Sequence, residues 1–409
     1  MHYVIIGNST AAIGCIEGIR SVDENGPITV ISDEPYPAYS RPLISYLLYG
    51  STTEEKMRTR PADFYETQKV KTMLGKKAVH VDSQHKTVTL DSGESISFDK
   101  LLIATGSCPF IPPMEGLEHV EKKFTFLKLD DAKALQENLR PESRVLIVGA
   151  GLIGLKCAEG IRDRVGSITV VDLADRILPS ILDPTGSKMI QQHIEKHGIS
   201  FLLGDSVAKF EKNRAHLKSG KTVDFDLLVI AVGVRPNTQL AAEAGCQVGK
   251  GIVIDEHSAT SIPDIYAAGD CCECRDITSG QRRILAILPN AYLQGETAGV
   301  NMAGGEKSFA NAVPMNAIGF FGLHVLTAGS YDGEEIVESG TGTYKKLIVR
   351  DNLLKGFILI GEIARAGIYT SLIREQIPLN TVDFELLKKK PQLMAFTAER
   401  RAEKLGGVK

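Results

Sequence analysis

Two glycine-rich turns carry the clearest chemistry in this 409-residue chain. Gly149-Ala-Gly151-Leu-Ile-Gly154 follows a strand pattern and opens a helix pattern, and Asp172 closes the next strand pattern. In that order the first glycine permits a tight turn, the second lets backbone approach a pyrophosphate, and the third packs helix on strand. The pyrophosphate then rests on the helix N-terminus and the acid takes ribose hydroxyls. Gly7-Asn-Ser9-Thr-Ala-Ala12 repeats the arrangement, with Ser9 and Ala12 at the second and third glycine positions. Alanine is a permitted variant at the third, whereas the Ser9 Cβ crowds the phosphate approach. Asp33 and Glu34 close the following strand and are the ribose candidates. Two such turns imply two dinucleotides. A carboxylate at Asp172 repels a 2′-phosphate, which favours NADH over NADPH in the second site; nearby Arg176 softens that preference.

The elements that must position these turns recur as well. Residues 4–20 parallel residues 145–162, both ending in Glu-Gly-Ile-Arg, and residues 89–106 parallel residues 216–233. Each copy reads as a buried strand, a glycine turn, a helix and a second strand (residues 28–32 and 168–172), the pattern of parallel βαβ units. Meander strands are expected at 79–81, 87–90 and 95–98, and Asp183-Pro184 should open a helix closing near Gly198. After about residue 310 the pattern changes to strands at 345–350 and 353–360, a helix around 364–375 and a basic tail. The fold class expected is α/β, with two Rossmann-like (doubly wound) dinucleotide-binding domains plus a small α+β C-terminal domain.

Composition sets the outer limits. A net charge of -3 gives no reason to expect nucleic-acid binding. No apolar run approaches the roughly 20 residues that span a bilayer, so no membrane role is expected. The N-terminus enters a strand pattern at once, which predicts no signal peptide and a cytoplasmic location. Seven irregularly spaced cysteines do not suggest a disulfide framework. Three of them, Cys271, Cys272 and Cys274, cluster after Gly269-Asp270. Adjacent cysteines form only strained disulfides, and three thiolates lack a fourth metal ligand unless Cys15, Cys108 or another residue joins them. Packing is the favoured reading, with a redox or metal role as its rival. The histidines show no paired metal spacing, and no metal is expected.

With both βαβ units, the motifs IATG (103–106), AVGVRPN (231–237) and IYAAGD (265–270) complete a resemblance. The chain resembles the FAD- and NAD(P)H-dependent pyridine nucleotide–disulfide oxidoreductase superfamily. YSRPLISYLL (39–48) and PMNAIGFFGL (314–323) are most similar to NADH:rubredoxin-type reductases and the flavoprotein part of nitrite reductases. The resemblance implies an FAD domain (1–110 and 240–310) interrupted by an NAD domain (111–239), then a C-terminal domain (311–380) and a basic tail (381–409). It implies that FAD uses Gly7, Ser9, Ala12 and Glu34 or Asp33 for its adenosine-pyrophosphate half. Arg41 and Pro42 would lie by the flavin, Thr105 and Gly106 near the crossover, and Asp270, after Gly269, on the ribityl chain. Gly149, Gly151, Gly154, Asp172 and Gly233 would serve NADH. A helix beginning near Pro289 and Asn290 would aim its positive end at the flavin.

The resemblance also implies where electrons go. Disulfide-using relatives carry cysteines after the second strand, and residues 36–50 here have none. Many relatives have Glu where this chain has Lys156; the lysine would set a cation near the flavin's reactive edge, with Glu159 as its partner or the nicotinamide's. The function expected is hydride transfer from NADH to FAD and onward transfer to a rubredoxin- or ferredoxin-like carrier or a partner subunit. The alternatives are an NADH oxidase acting on oxygen or peroxide, and a non-catalytic FAD-binding sensor or complex subunit. A homodimer is compatible with each. The basic residues Lys388–Lys390, Arg400, Arg401 and Lys404 are read either as a docking face for an acidic carrier or as a solvated surface.

Overall fold

Tyr3–Ile6 is buried along its whole length, as a central parallel strand covered on both faces must be. It pairs in parallel with Ile28–Ser32 on one side and Lys100–Ile103 on the other. The computed structural model describes residues 1–406, which form two compact units.

The first unit contains both glycine turns, each in its own five-stranded parallel sheet. One sheet runs in the order Ile265–Ala267, Lys100–Ile103, Tyr3–Ile6, Ile28–Ser32, Val70–Leu74. The other runs Ile199–Leu203, Ser167–Asp172, Arg144–Val148, Leu227–Ile230, Lys123–Phe124. The edge strands Ile265–Ala267 and Lys123–Phe124 come from outside their copies, the first after the second sheet is complete and the second before it begins. Antiparallel meanders recur too, at Ala78–Asp82, Thr87–Leu90 and Ser95–Ser97, and at Val207–Glu211, Arg214–Leu217 and Thr222–Asp224.

Helix Thr10–Arg20 lies against helix Leu288–Met302 with almost no space between backbones. A Cβ on Gly14 would sit 2.3 Å from the Tyr292 carbonyl oxygen, and one on Gly18 2.4 Å from that of Glu296. From the other helix, Gly295 and Gly299 would meet the carbonyls of Ala11 and Cys15 at 2.0 and 2.2 Å. Only hydrogen fits at these four positions.

The second unit comprises residues 180–193, 275–281 and the chain from 311 onward. Its antiparallel sheet runs Met315–Phe320, Leu323–Gly329, Leu353–Ile360, Thr343–Arg350, Glu334–Gly340. Helix Gly367–Arg374 packs Tyr369, Leu372 and Ile373 into the same core as Leu347 and Phe357. Asp183 joins residues 180–193 to this unit. Its carboxylate accepts the Gly186 amide at 2.8 Å as a helix cap, the Tyr344 hydroxyl at 2.5 Å and Lys346 Nζ at 3.0 Å. The helix it opens is Pro184–Glu195. The segment read from sequence as a basic tail holds two helices, Phe384–Lys389 and Ala398–Leu405, and buries Leu387, Ala395 and Phe396 in the unit's core. Its last three residues, 407–409, lie outside the described residues.

Candidate functional site

The two glycine turns superpose in their local logic. Gly7 has φ +113° and its amide donates to the Ile31 carbonyl at 2.8 Å; Gly149 has φ +117° and donates to Val171 at 2.8 Å. A Cβ on either would strike the loop after the neighbouring strand, at 2.1 Å from the Ala104 oxygen and 2.3 Å from the Ala231 oxygen. Glycine is therefore required at both by backbone angle and by space. Gly151 differs in kind: a Cβ there meets nothing within 4 Å, leaving the open approach that a pyrophosphate needs. Gly154 would place a Cβ 2.1 Å from the Gly149 oxygen, whereas the first copy holds the Ala12 methyl fully buried. Ser9 stands in extended backbone at the N-cap of its helix and makes no side-chain cap bond.

The acids that close the second strands are held differently. Asp172 accepts the Ala150 amide at 2.5 Å and the Ala174 amide at 2.8 Å, so backbone alone fixes it. Beyond it Leu173 is exposed, Arg176 Nη1 donates to Asp175 at 3.0 Å, and the buried Arg176 Nε finds no acceptor among the described residues. Glu34 is buried and held by side chains: the Tyr39 hydroxyl donates to it at 2.6 Å and Arg41 forms an ion pair with it. Asp33 pairs with Lys128 at 2.8 Å.

Arg41, expected by the flavin from the resemblance, is thus drawn to the ribose candidate Glu34, and its charge also reaches Asp270. Burial raises the Asp270 carboxyl above its ordinary range, opposed by Arg41, and no hydrogen bond from a described residue offsets that burial. A half-buried carboxylate without donors fits a polyhydroxyl chain such as the ribityl of FAD. Pro42 is exposed in the short Arg41–Leu43 turn before helix Ile44–Tyr49. Thr105 Oγ donates to the Asn237 carbonyl at 2.7 Å and Asn237 Nδ2 returns a bond to Thr105, closing the crossover that pairs Ser107–Pro109 with Val234–Pro236. Gly106 and Gly233 take φ +62° and +129° at this crossover, and Gly269 takes +88° before Asp270. Helix Leu288–Met302 starts at Leu288, with Pro289 in its first turn and Asn290 fully buried. A cleft of about 540 Å³ opens beside that end, lined by Thr10, Ile13, Arg60, Pro289 and Tyr292 among others.

Lys156 and Glu159 form an ion pair one turn apart, and the ammonium lies 4.6 Å from the centroid of the Tyr46 ring. Their helix, Leu152–Ile161, packs on Ile44–Tyr49 where a Cβ on Gly160 would come within 2.7 Å of the Ser45 oxygen. Cys271, Cys272 and Cys274 are buried; Cys271 Sγ lies 3.4 Å from the Ala268 carbonyl oxygen and 3.6 Å from Cys272 Sγ. Burial pushes the Cys272 thiol well up. Among the described residues no group of three or more His, Cys, Asp or Glu is placed to hold a metal ion, and no helix is long and apolar enough to cross a membrane. Of the basic tail residues, Lys388 faces Glu385, Lys390 faces Glu362 and Lys404 faces Glu375.

Sequence reading missed Tyr39 and Lys128. Tyr39 opens the stretch YSRPLISYLL (39–48), but nothing in that motif marks its hydroxyl for a role, and Lys128 meets Asp33 across 95 residues of chain.

Comparison with known proteins agrees with this geometry. Residues 1–295 match the family described as pyridine nucleotide-disulphide oxidoreductase, and residues 314–377 match the rubredoxin NAD+ reductase C-terminal domain. The chain is 33% identical over 392 residues to the NADH-dependent phenylglyoxylate dehydrogenase subunit epsilon of Aromatoleum evansii, covering 92% of each chain. It is 31% identical to nitrite reductase [NAD(P)H] of Bacillus subtilis (strain 168), covering 92% of this chain but only 48% of that one. Its fold matches the crystal structure of the covalent putidaredoxin reductase–putidaredoxin complex with a TM-score of 0.87 at 24% identity, over 95% of this chain and 96% of that one.

Proposed function

The chain belongs to the pyridine nucleotide-disulphide oxidoreductase family and is an NAD(P)H-dependent FAD oxidoreductase; we propose that it passes electrons from NADH, through FAD, to a small one-electron carrier protein or a partner subunit. When bound, FAD supplies the conversion of a hydride's electron pair into single electrons. The residues bind and orient. In this reading the Gly7 turn and Glu34 hold the adenosine-pyrophosphate half of FAD, Asp270 holds the ribityl hydroxyls, and the Gly149 turn with Asp172 holds NADH. The N-terminal end of helix Leu288–Met302 presents positive partial charge to the flavin, and Lys156 places a cation on the Ile44–Tyr49 side.

The observation that carries the acceptor reading is the thiol inventory. Residues 36–50 contain no cysteine, and of the seven cysteines only Cys108, at the crossover, is exposed. A dithiol relay beside Arg41 and Pro42 has no groups to use. The C-terminal match to a rubredoxin NAD+ reductase domain supports a protein acceptor, and the full-length likeness to a dehydrogenase subunit supports a partner subunit.

Anaerobic stopped-flow tests this. NADH should bleach the visible flavin absorbance, and rubredoxin or ferredoxin should restore it faster than oxygen or nitrite. Absence of bleaching would sink the enzymatic reading; fastest recovery with oxygen or peroxide would replace it with an NADH oxidase.

A further inference from the structure

The bonds around Glu34 reach beyond the first βαβ copy. The Tyr39 hydroxyl donates to Glu34 Oε2 at 2.6 Å, accepts the Leu129 amide at 2.9 Å and accepts Arg41 Nη1 at 3.2 Å. A phenol has one proton to give and two lone pairs to offer, so this hydroxyl is used completely. Arg41 takes the other carboxylate oxygen. A carboxylate has about four acceptor positions. With two filled from opposite ends, Glu34 is left aimed, with one position free on each oxygen.

Leu129 opens helix Leu129–Asn138, and the first turn of that helix is tied to the same loop three more times. Lys128 pairs with Asp33 at 2.8 Å, the Tyr36 hydroxyl donates to Asp130 at 2.5 Å, and the Lys133 ammonium lies 4.6 Å from the Tyr36 ring centroid. Asp131 folds back to accept the Leu127 and Lys128 amides at 2.7 and 3.0 Å, which stiffens the turn. These ties fall on residues 33–39, Lys133 pairs in addition with Glu54 at 2.9 Å, and none of them falls on a glycine turn.

We propose that the first turn of helix Leu129–Asn138 is a clamp on the adenosine half of the FAD site, with Tyr39 as the positioning residue that fixes the Glu34 carboxylate for the two ribose hydroxyls. This rests on the reading of Glu34 as the ribose acid. The clamp acts through pre-organisation: the carboxylate is already oriented when the ribose arrives, so little ordering remains to be done on binding. It therefore concerns flavins that carry adenosine and is indifferent to those that do not.

The experiment strips flavin from the full chain and titrates FAD and FMN separately by flavin fluorescence, in wild type, Tyr39→Phe, Asp130→Asn and Glu34→Gln. Tyr39→Phe keeps the ring and removes the hydroxyl; the ratio of FAD to FMN affinity should fall about tenfold, as for loss of one bond to a charged group. Asp130→Asn should lower it by about twofold, and Glu34→Gln at least as much as Tyr39→Phe. Equal losses for FAD and FMN in Tyr39→Phe would mean a merely structural role and overturn the clamp. A ratio that falls in Glu34→Gln but stays unchanged in Tyr39→Phe overturns it too, while a ratio unchanged in Glu34→Gln removes the reading beneath it. If Tyr39→Phe does not fold, Asp130→Asn decides by the same ratio.

Discussion

Helices Thr10–Arg20 and Leu152–Ile161 occupy the same place in the two copies, yet they are used for opposite purposes. Cys15, Glu17 and Gly18 of the first correspond in order to Cys157, Glu159 and Gly160 of the second, but Gly14 corresponds to Lys156. That one difference decides what can lie alongside. With Gly14 and Gly18, the first helix lets helix Leu288–Met302 settle onto its backbone. In the second helix Lys156 replaces the first of these glycines, leaving Gly160 alone to let helix Ile44–Tyr49 approach, and the Lys156 ammonium meets Tyr46. Glu17 likewise binds outward, to Arg60 at 2.6 Å and the Tyr292 hydroxyl at 2.6 Å, whereas Glu159 binds Lys156 on its own helix. The two acids proposed for the riboses follow suit, Glu34 fixed by the side chains of Tyr39 and Arg41 and Asp172 by adjacent amides. Under the function proposed above, the first copy would keep its ligand and the second would exchange one. Duplication supplied the fold; a few substitutions divided the labour.

The comparison breaks most severely at the helix contact. Gly295→Ala would place a methyl 2.0 Å from the Ala11 oxygen, and backbone cannot yield as a side chain does. We expect about 3 kcal/mol of destabilisation, measured by chemical denaturation of the flavin-loaded protein, while Gly151→Ala, which meets open space, costs less than about 1 kcal/mol. A crossed pair comes next. Asp172→Ala should raise the KM for NADH about tenfold or more with bound FAD retained, and Glu34→Ala should do the reverse, shedding FAD on dilution. Parallel losses in both variants would show that the copies are not specialised.

A smaller effect is expected at Lys156. Replacement by methionine removes a cation and leaves Glu159 behind, so the flavin midpoint potential should fall by about 30 mV, a tenfold step for two electrons. An unchanged potential in a redox titration would assign Lys156 to packing on Tyr46. The smallest effect concerns Glu17. Its bond to Arg60 is the leading cause that holds its carboxyl below the usual range, with the Tyr292 hydroxyl assisting against burial. A depressed folded-state pKa means stability present above the unfolded value, about 4.3, and lost as pH falls through the folded one. Wild type should therefore exceed Glu17→Gln by about 1 kcal/mol at pH 7, and the gap should close toward pH 3.

What could be read from sequence follows the range of the forces involved. The glycine turns were legible because phosphate geometry imposes a short, fixed spacing, and the strand at 353–360 because its residues are apolar almost throughout. The edge strand Glu334–Gly340 was not, since Glu334, Glu335 and Glu338 mask its period. Residues 180–193 read as part of the second copy because Asp183 and Pro184 announce only a helix start; that Asp183 would find Tyr344 and Lys346, some 160 residues away, has no local signature. Arg41 shows the same limit within the candidate site. The resemblance implied a place for it by the flavin, but which carboxylate it would choose depended on the loop that carries Glu34.

The strand Ile265–Ala267 has a consequence for synthesis. It pairs with Lys100–Ile103 to finish the first sheet, yet the ribosome makes it only after every strand of the second sheet. Helix Leu288–Met302, which covers helix Thr10–Arg20, emerges later still. The first copy must therefore wait, with one sheet edge open and its glycine face bare, while the second can complete all five of its strands. A released chain truncated near residue 240 should protect the second sheet from protease and leave the first exposed.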